Sequence, residues 1–527
     1  MTDIVIVGAG TAGCLLADRL SRDGRYRIVL VEAGGDAPAA SDVPALWTTL
    51  FNGEADWGYH SEPQRGARMR RLYMPRGKMV GGSGAMNAMI YMRGLPSDYE
   101  RWRAQGCESW GWRDVLPYFR RIEANARLGG SPLHGADGEI AVTDPLHVED
   151  IERAWLDACV SAGYPRNADF NGERQEGVGF FQLNVDAGKR ASTAKGMLKR
   201  ALARPNLQLV TGAQVTRLIV EGQRVQGVAY LKNGVPHELR ARRDVVLCAG
   251  AIGSPHLMML SGIGPADELA RHGIDVHCDL PGVGQRLADH PQLTLTWASK
   301  RPAGIAALGE ADRVRALERW RAEGSGPFAS NGAIAAGCVR SGADIDEPDL
   351  QLYFTLSANR NHGCFLATTP GVSFGVTLQR PKSFGQIRLR SSDPLAHPAI
   401  DPGFFSDSQD DDVKTLVRAV RIQRDIASRA PLSAWLVEED PLSAHCRTDD
   451  DIAAFVRAHC VTIFHPSGTC RMGIDALSVV EPHSMKVHGF EGLRVADASV
   501  FPSMVSGNLN APVMMVAEKA SDLMMSH

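Results

Sequence analysis

Ile4-Val5-Ile6-Val7-Gly8-Ala9-Gly10-Thr11-Ala12-Gly13, at the start of the chain, is an apolar run that breaks into a turn of regularly spaced glycines. Four β-branched residues in a row read as a strand buried on both faces. Gly8 permits a tight turn out of that strand, Gly10 lets the backbone approach a pyrophosphate, and Gly13 lets the following helix pack close to the strand. A helix opening at Thr11 and Ala12 then presents its N-terminus to an anion. The second apolar strand, Arg27 to Val31, ends at Glu32 and Ala33, nineteen residues beyond Gly13. A carboxylate at that interval is placed to accept hydrogen bonds from ribose hydroxyls. The opening therefore predicts a dinucleotide site.

The chain has 527 residues, long enough that two domains are the expectation. Its formal net charge of −3 argues against nucleic acid or an anionic membrane surface as the main partner. Ten cysteines are scattered without a Cys-x-x-Cys pair or any metal-ligand spacing, so reduced thiols and no metal site are expected. No secretory signal and no run of eighteen apolar residues is present, which predicts a cytoplasmic protein without a transmembrane segment.

Strand-like and helix-like segments alternate over the first third, as in a doubly wound α/β sheet. Asn206 to Tyr230 reads as strand, strand, turn, strand, and Asp244-Val245-Val246-Leu247 as a buried strand followed by a helix over 251–260. Leu493 to Asp497 is another short strand leading into a loop and helix. Between about 293 and 460 the pattern changes to longer polar loops and alternating strands such as Gln379 to Leu389, which suits a one-sided antiparallel sheet. There is no internal repeat, and Asp410-Asp411-Asp412 reads as a solvated loop or a helix start.

Further blocks follow the N-terminal one in order: Gly77-Lys78-Met79-Val80-Gly81-Gly82-Ser83-Gly84-Ala85-Met86-Asn87, Gly250-Ala251-Ile252-Gly253-Ser254-Pro255-His256 to Gly264, and Pro281-Gly282-Val283-Gly284. His465-Pro466, Asp497-Ala498-Ser499 and Asn508-Leu509-Asn510-Ala511-Pro512 complete them. Together they resemble the glucose-methanol-choline family of flavin oxidoreductases, and most of all its bacterial members acting on sugar, choline-like and aromatic alcohols. The resemblance names FAD as the dinucleotide. It implies a Rossmann-like FAD-binding domain assembled from separated segments (1–150, 187–292 and 461–527), plus an interleaved α+β substrate-binding domain (151–186 and 293–460) with a mostly antiparallel sheet.

What the resemblance implies for chemistry can be set against the residues. Oxidising an alcohol removes a proton from oxygen and a hydride from carbon, so a flavin enzyme needs a base near the hydroxyl and a donor for the alkoxide. The family's His-Pro pair makes His465 the expected base, since an imidazole titrates near neutrality. Forty-five residues later stands Asn510, expected to donate its amide N–H to the substrate oxygen, or to cap a helix starting at Ala511-Pro512. That helix, with Pro512 in its first turn, would aim its positive end at the flavin. Gly82, Ser83, Asn87 and Ala88 are expected at the isoalloxazine, Val215 at the adenine or simply in the core, and Asp497 and Ala498 near the ribityl and pyrophosphate region, with Asp497 capping the turn after it as the alternative. Some relatives bond a histidine preceding the asparagine to the flavin. Met86 stands there, which predicts non-covalent FAD. The expected reaction is oxidation of a primary alcohol or polyol by His465, with oxygen or a quinone as acceptor; a flavin-containing lyase of the same fold is the alternative. Arg286 and Leu509 depart from the family pattern at the expected pocket wall. Phe354, Asn359, Arg360, Asn361 and His362 are candidate pocket residues, while Arg65, Arg68, Arg70, Arg71, Arg76 and Lys78 read as a solvated basic face, with a surface that receives an anionic substrate or an acceptor protein as the alternative.

Overall fold

A computed structural model of the chain describes residues 2–360, 365–366 and 370–526. The chain opens with β1 (Thr2–Val7), α1 (Thr11–Ser21) and β2 (Ile28–Val31), and after an excursion contributes α2 (Asp150–Ser161) and β3 (Gly177–Phe180). It returns through β4 (Leu207–Val210), β5 (Ala213–Glu221), β6 (Arg224–Lys232), β7 (Val235–Leu247) and α3 (Gly250–Leu260). Next come β8 (Pro291–Ser299), β9 (Ala335–Val339), β10 (Leu350–Thr355), β11 (Gly371–Leu378), α4 (Asp411–Ser428) and β12 (Leu436–Glu439). The chain closes on β13 (Val461–Thr462), β14 (Leu493–Val495) and α5 (Asn510–Ser526).

The first sheet runs β4-β2-β1-β7-β6-β5, with β14 added to β7. Its centre is parallel: Ile4 to Val7 face Ile28 to Val31 on one side and Asp244 to Leu247 on the other. Ile4, Val5 and Ile6 have no solvent exposure, which is why the opening run is apolar without alternation. β7 does two jobs, because its first half pairs antiparallel with β6 while its last residues pair parallel with both β1 and β14. Strands separated by hundreds of residues thus build one doubly wound sheet. The helix α5 lies along α1, and the Arg19 guanidinium, itself buried, binds Glu518 at 2.7 Å across that contact.

The second sheet runs β12-β8-β11-β10-β9-β3, all antiparallel, with β13 beside β8. Alternation splits its faces. Leu293, Leu295, Leu352, Phe354, Phe374 and Val376 point into a core shared with α2 and α4. Gln292, Thr294, Tyr353, Thr355 and Gly375 point the other way, into a cavity of about 940 Å³ between the two sheets. The crevice opens at the carboxyl ends of β1, β2 and β7, where an open α/β sheet accepts ligands.

Several expectations shift. Phe354 faces the helices, its ring 5.8 Å from that of Trp155, because the period of two puts it opposite Tyr353. Residues 379–389 do not extend the main sheet; Gly385–Arg388 joins Gln285–Leu287 and Ala399–Asp401 in a small separate one. Val461–Thr462 pairs with β8, so the chain crosses back to the first sheet after Thr462 rather than before Val461. Asn359–Arg360 pairs with Phe365–Leu366, and Asn361 and His362 lie outside the described residues. Among the described residues no helix is long and apolar enough to cross a membrane.

Phe354→Ala is expected to cost about 3–5 kcal/mol of stability by leaving a core cavity. Urea titration should register that loss, while the far-UV circular dichroism of the folded protein stays that of the parent.

Candidate active site

The dinucleotide end of the cavity is made of backbone. Gly8 carries φ +98, and a Cβ there would meet the Cys248 carbonyl oxygen at 2.6 Å, so no other residue makes the turn from β1 into α1. A Cβ on Gly10 would meet nothing closer than 3.9 Å, which leaves its missing side chain as open space in the cavity wall. Thr11 and Ala12 line the cavity beside it, while Gly13 does not; it lies underneath, where a Cβ would strike the Gly8 carbonyl at 1.9 Å. Glu32 and Ala33 also line the wall. The Glu32 carboxylate accepts from the N–H groups of Ala9 and Gly34, both at 2.8 Å. Burial raises its pKa, and those two amides act in the opposite direction.

Opposite α1 the loop carrying Gly82, Ser83, Asn87 and Ala88 reaches the cavity, and a Cβ on Gly82 would come within 2.8 Å of the Gly10 Cα. Behind this loop is Arg190, which sequence reasoning missed. It donates from Nε to the Ser41 carbonyl at 2.7 Å and from Nη1 to Asn87 Oδ1 at 2.7 Å, and its buried Nη2 has no partner among the described residues. Burial lowers its pKa to about 9. Arg190 itself does not line the cavity; a buried cation held by neutral oxygens, it fixes from behind the loop whose Asn87 does. Val215 lines the same end from β5. Asp497 lines the wall too, with Oδ2 accepting from Gly250 N–H and Ser254 Oγ and Oδ1 from Ser499 N–H, so it caps the turn after it and also α3. Ala498 is beside it. Pro512 is buried in the first turn of α5 and does not line the cavity, since the helix turns it toward the protein interior.

His465 sits at the other end, on a loop held from three sides. Its N–H donates to Asp289 Oδ1 at 2.9 Å, and Asp289 Oδ2 accepts from the Thr462 hydroxyl. Phe464, in the left-handed region at φ +71, donates its N–H to Thr462 Oγ1 at 2.7 Å and accepts at its carbonyl from Arg76 Nη2 at 2.7 Å. The imidazole Nδ1 lies 2.9 Å from Nδ1 of His290, whose Nε2 lies 2.9 Å from the Gln379 carbonyl. A carbonyl only accepts, so His290 donates from Nε2. In the neutral ring its Nδ1 must then accept, which makes His465 the donor at Nδ1 and leaves His465 Nε2 with a lone pair. Burial keeps both rings neutral, lowering His290 to about 4 and His465 well below its ordinary value, the latter with further push from His290 and Arg76. Burial raises Asp289 to about 6, against the pull of its hydrogen bonds and Arg76.

The amide facing this lone pair belongs to Asn508, not Asn510. Asn508 Nδ2 is 3.3 Å from His465 Nε2, and its Oδ1 accepts from Gln351 Nε2 at 3.2 Å. Asn510 lines the cavity, but its Oδ1 accepts from the Thr11 hydroxyl at 2.8 Å. The helix begins at Asn510 itself, one residue earlier than expected, so that side chain turns toward the start of α1. Spacing from His465 could not separate two asparagines two residues apart. Leu509 between them lines the cavity, as does Met86; Arg286 does not, its guanidinium lying over the Phe384 ring at 4.4 Å. The basic cluster disperses as well: Arg65, Arg68 and Arg71 are exposed, Arg70 reaches the Cys460 carbonyl, Lys78 covers the Trp57 ring, and Arg76 lines the cavity. Asp289 and His290 were missed although they stand together just after the Gly284 block, a buried polar pair amid apolar residues.

The sequence matches the GMC oxidoreductase family over residues 2–292 and 381–517. It is 38% identical to alcohol dehydrogenase [acceptor] of Pseudomonas putida, over 99% of this chain and 95% of that protein. It is 40% identical to the mitochondrial choline dehydrogenase of Homo sapiens, over 98% of this chain and 89% of that one. Pyridoxine 4-oxidase from Mesorbium loti superposes with a TM-score of 0.91 at 31% identity, covering all of both chains. With its glycine cradle, its buried arginine and matches along nearly its whole length, the chain belongs to the GMC oxidoreductases, enzymes that carry FAD.

Proposed function

We propose that this enzyme oxidises a primary alcohol, or a polyol carbinol, to the aldehyde or ketone, with His465 as the base. The observation that carries the reading is the lone pair on His465 Nε2, fixed by the direction of hydrogen bonding from the Gln379 carbonyl through His290. A substrate hydroxyl placed against Nε2 gives up its proton there. Asn508 Nδ2, 3.3 Å from the same nitrogen, donates to the oxygen as negative charge develops on it. Arg76, tethered to the carbonyl of Phe464, adds a positive charge beside the pair. Bound FAD supplies the two-electron acceptor for the hydride that leaves the carbinol carbon, and oxygen or a quinone-type molecule is the final acceptor. The FAD is non-covalent, because Met86 offers a thioether where relatives carry a linking histidine.

Four tests follow from these roles. His465→Ala should lower kcat/KM by about 10²–10⁴ with FAD retained, the scale of a lost general base. Asn508→Ala should lower it by about 10², and Asn510→Ala should leave it within a few-fold; the reverse order would return the donor role to Asn510. Acid precipitation should leave a colourless pellet and a yellow supernatant. Arg190→Met should weaken FAD binding by about tenfold or more, read as quenching of flavin fluorescence on titrating the apoprotein, with Arg190→Lys closer to the parent.

A further inference from the structure

Among the described residues, the wall around His465 and Asn508 carries no carboxylate. From the second sheet it receives Gln292, Thr294, Tyr353 and Thr355, and from the loops Phe51 and Phe464. Gly375 makes room among them, since a Cβ there would come within 3.0 Å of Gln292 Nε2. Three carboxylates reach the cavity among the described residues, and each is engaged elsewhere. Glu32 holds the Ala9 and Gly34 amides, Asp497 caps α3, and Glu149 accepts from Gly304 N–H at 2.9 Å. The sequence has no Asp or Glu between Asp349 and Asp393, so residues 361–364 and 367–369 add none.

The charge that does face this end is positive. Arg76 lines the cavity with its guanidinium tied to the residue preceding His465. Its counter-charge, Asp289, is behind the wall: it is 1% exposed, and its oxygens are taken by Thr462, His290 and His465. Nor do the aromatic rings form an open box for a cation. Phe51 meets Trp47 and Phe464 edge-to-face, each at 5.5 Å, so the rings pack against one another.

Resting on the alcohol oxidation proposed above, we propose that the substrate is an uncharged aliphatic or aromatic alcohol, and that alcohols bearing an ammonium group are rejected. An ammonium on a carbon next to the carbinol would be stripped of water, left without a carboxylate and brought close to Arg76. Rejection of this kind works through an unfavourable contact in the wrong complex, not a better one in the right complex.

The test uses the holoenzyme under anaerobic conditions and follows flavin bleaching by stopped flow. Choline is compared with 3,3-dimethylbutan-1-ol, which replaces its nitrogen by carbon and so differs in charge at nearly constant shape, and with benzyl alcohol and 1-octanol. The best uncharged alcohol should exceed choline in second-order rate by about 100-fold or more. Gln292→Glu, which installs one negative charge at nearly constant volume, should narrow that ratio by raising the choline rate. A choline rate within 100-fold of the best uncharged alcohol overturns the charge discrimination and leaves alcohol oxidation standing. Bleaching by none of the four overturns alcohol oxidation itself, and the substrate inference with it. Should Gln292→Glu fail to fold, the comparison in the parent enzyme decides alone.

Discussion

The carbonyl of Gln379 cannot donate a hydrogen bond, and the state of the His465 imidazole follows from that restriction. It orients His290, which orients His465, which leaves a lone pair aimed at Asn508, whose oxygen in turn accepts a hydrogen bond from Gln351. With the Gln379 carbonyl as a fixed acceptor, the neutral tautomer is set by the fold and not by an added proton. Burial reinforces it by making a charged ring costly at either histidine. The series spans both sheets: Gln379 follows β11, His290 precedes β8, and Asn508 precedes α5. Misalignment of the sheets would therefore appear first as a misdirected base.

That dependence explains the division of labour between the sheets. The parallel sheet supplies backbone: a turn at Gly8, open space at Gly10, amides at the start of α1. The antiparallel sheet supplies side chains, because its alternation gives one face to the helices and the other to the cavity. A cofactor common to many enzymes suits a rigid cradle of main chain. Discrimination among substrates suits a face on which each second residue can change without disturbing the core.

How far the sequence discloses this arrangement depends on whether a feature is local. Ile4 to Gly13 reads correctly because strand, turn and helix are contiguous and each glycine has its own steric reason. The parallel strands at Asn206 and Asp244 are equally plain from their apolar runs. Phe354 illustrates the opposite case, since a period of two identifies two faces and does not say which one meets the cavity. Asn508 lies just before α5 and faces His465, while Asn510 is its first residue and faces Thr11, a difference that spacing alone does not encode. Arg190, Asp289 and His290 acquire meaning only from partners between about 100 and 175 positions away, such as Asn87 and His465. Motif spacing carries no information about such contacts.

Two arginines, the buried Arg190 and the half-buried Arg76, complete the electrostatic design. Arg190 stands behind the loop at the cofactor end and Arg76 lines the wall at the substrate end; each is held mainly by carbonyl and amide oxygens, and burial lowers the pKa of each. Burying a guanidinium without a carboxylate in direct contact is unfavourable for the protein alone, and the cost is offset only when negative charge arrives. At the substrate end the proposed reaction would supply it as the transient charge on an oxygen losing its proton; at the other end Arg190 stays outside the cavity and holds the Asn87 loop. On the proposed alcohol oxidation, a cation whose resident carboxylate, Asp289, is set behind the wall would stabilise the transition state more than the ground state, which is the condition for it to accelerate the reaction.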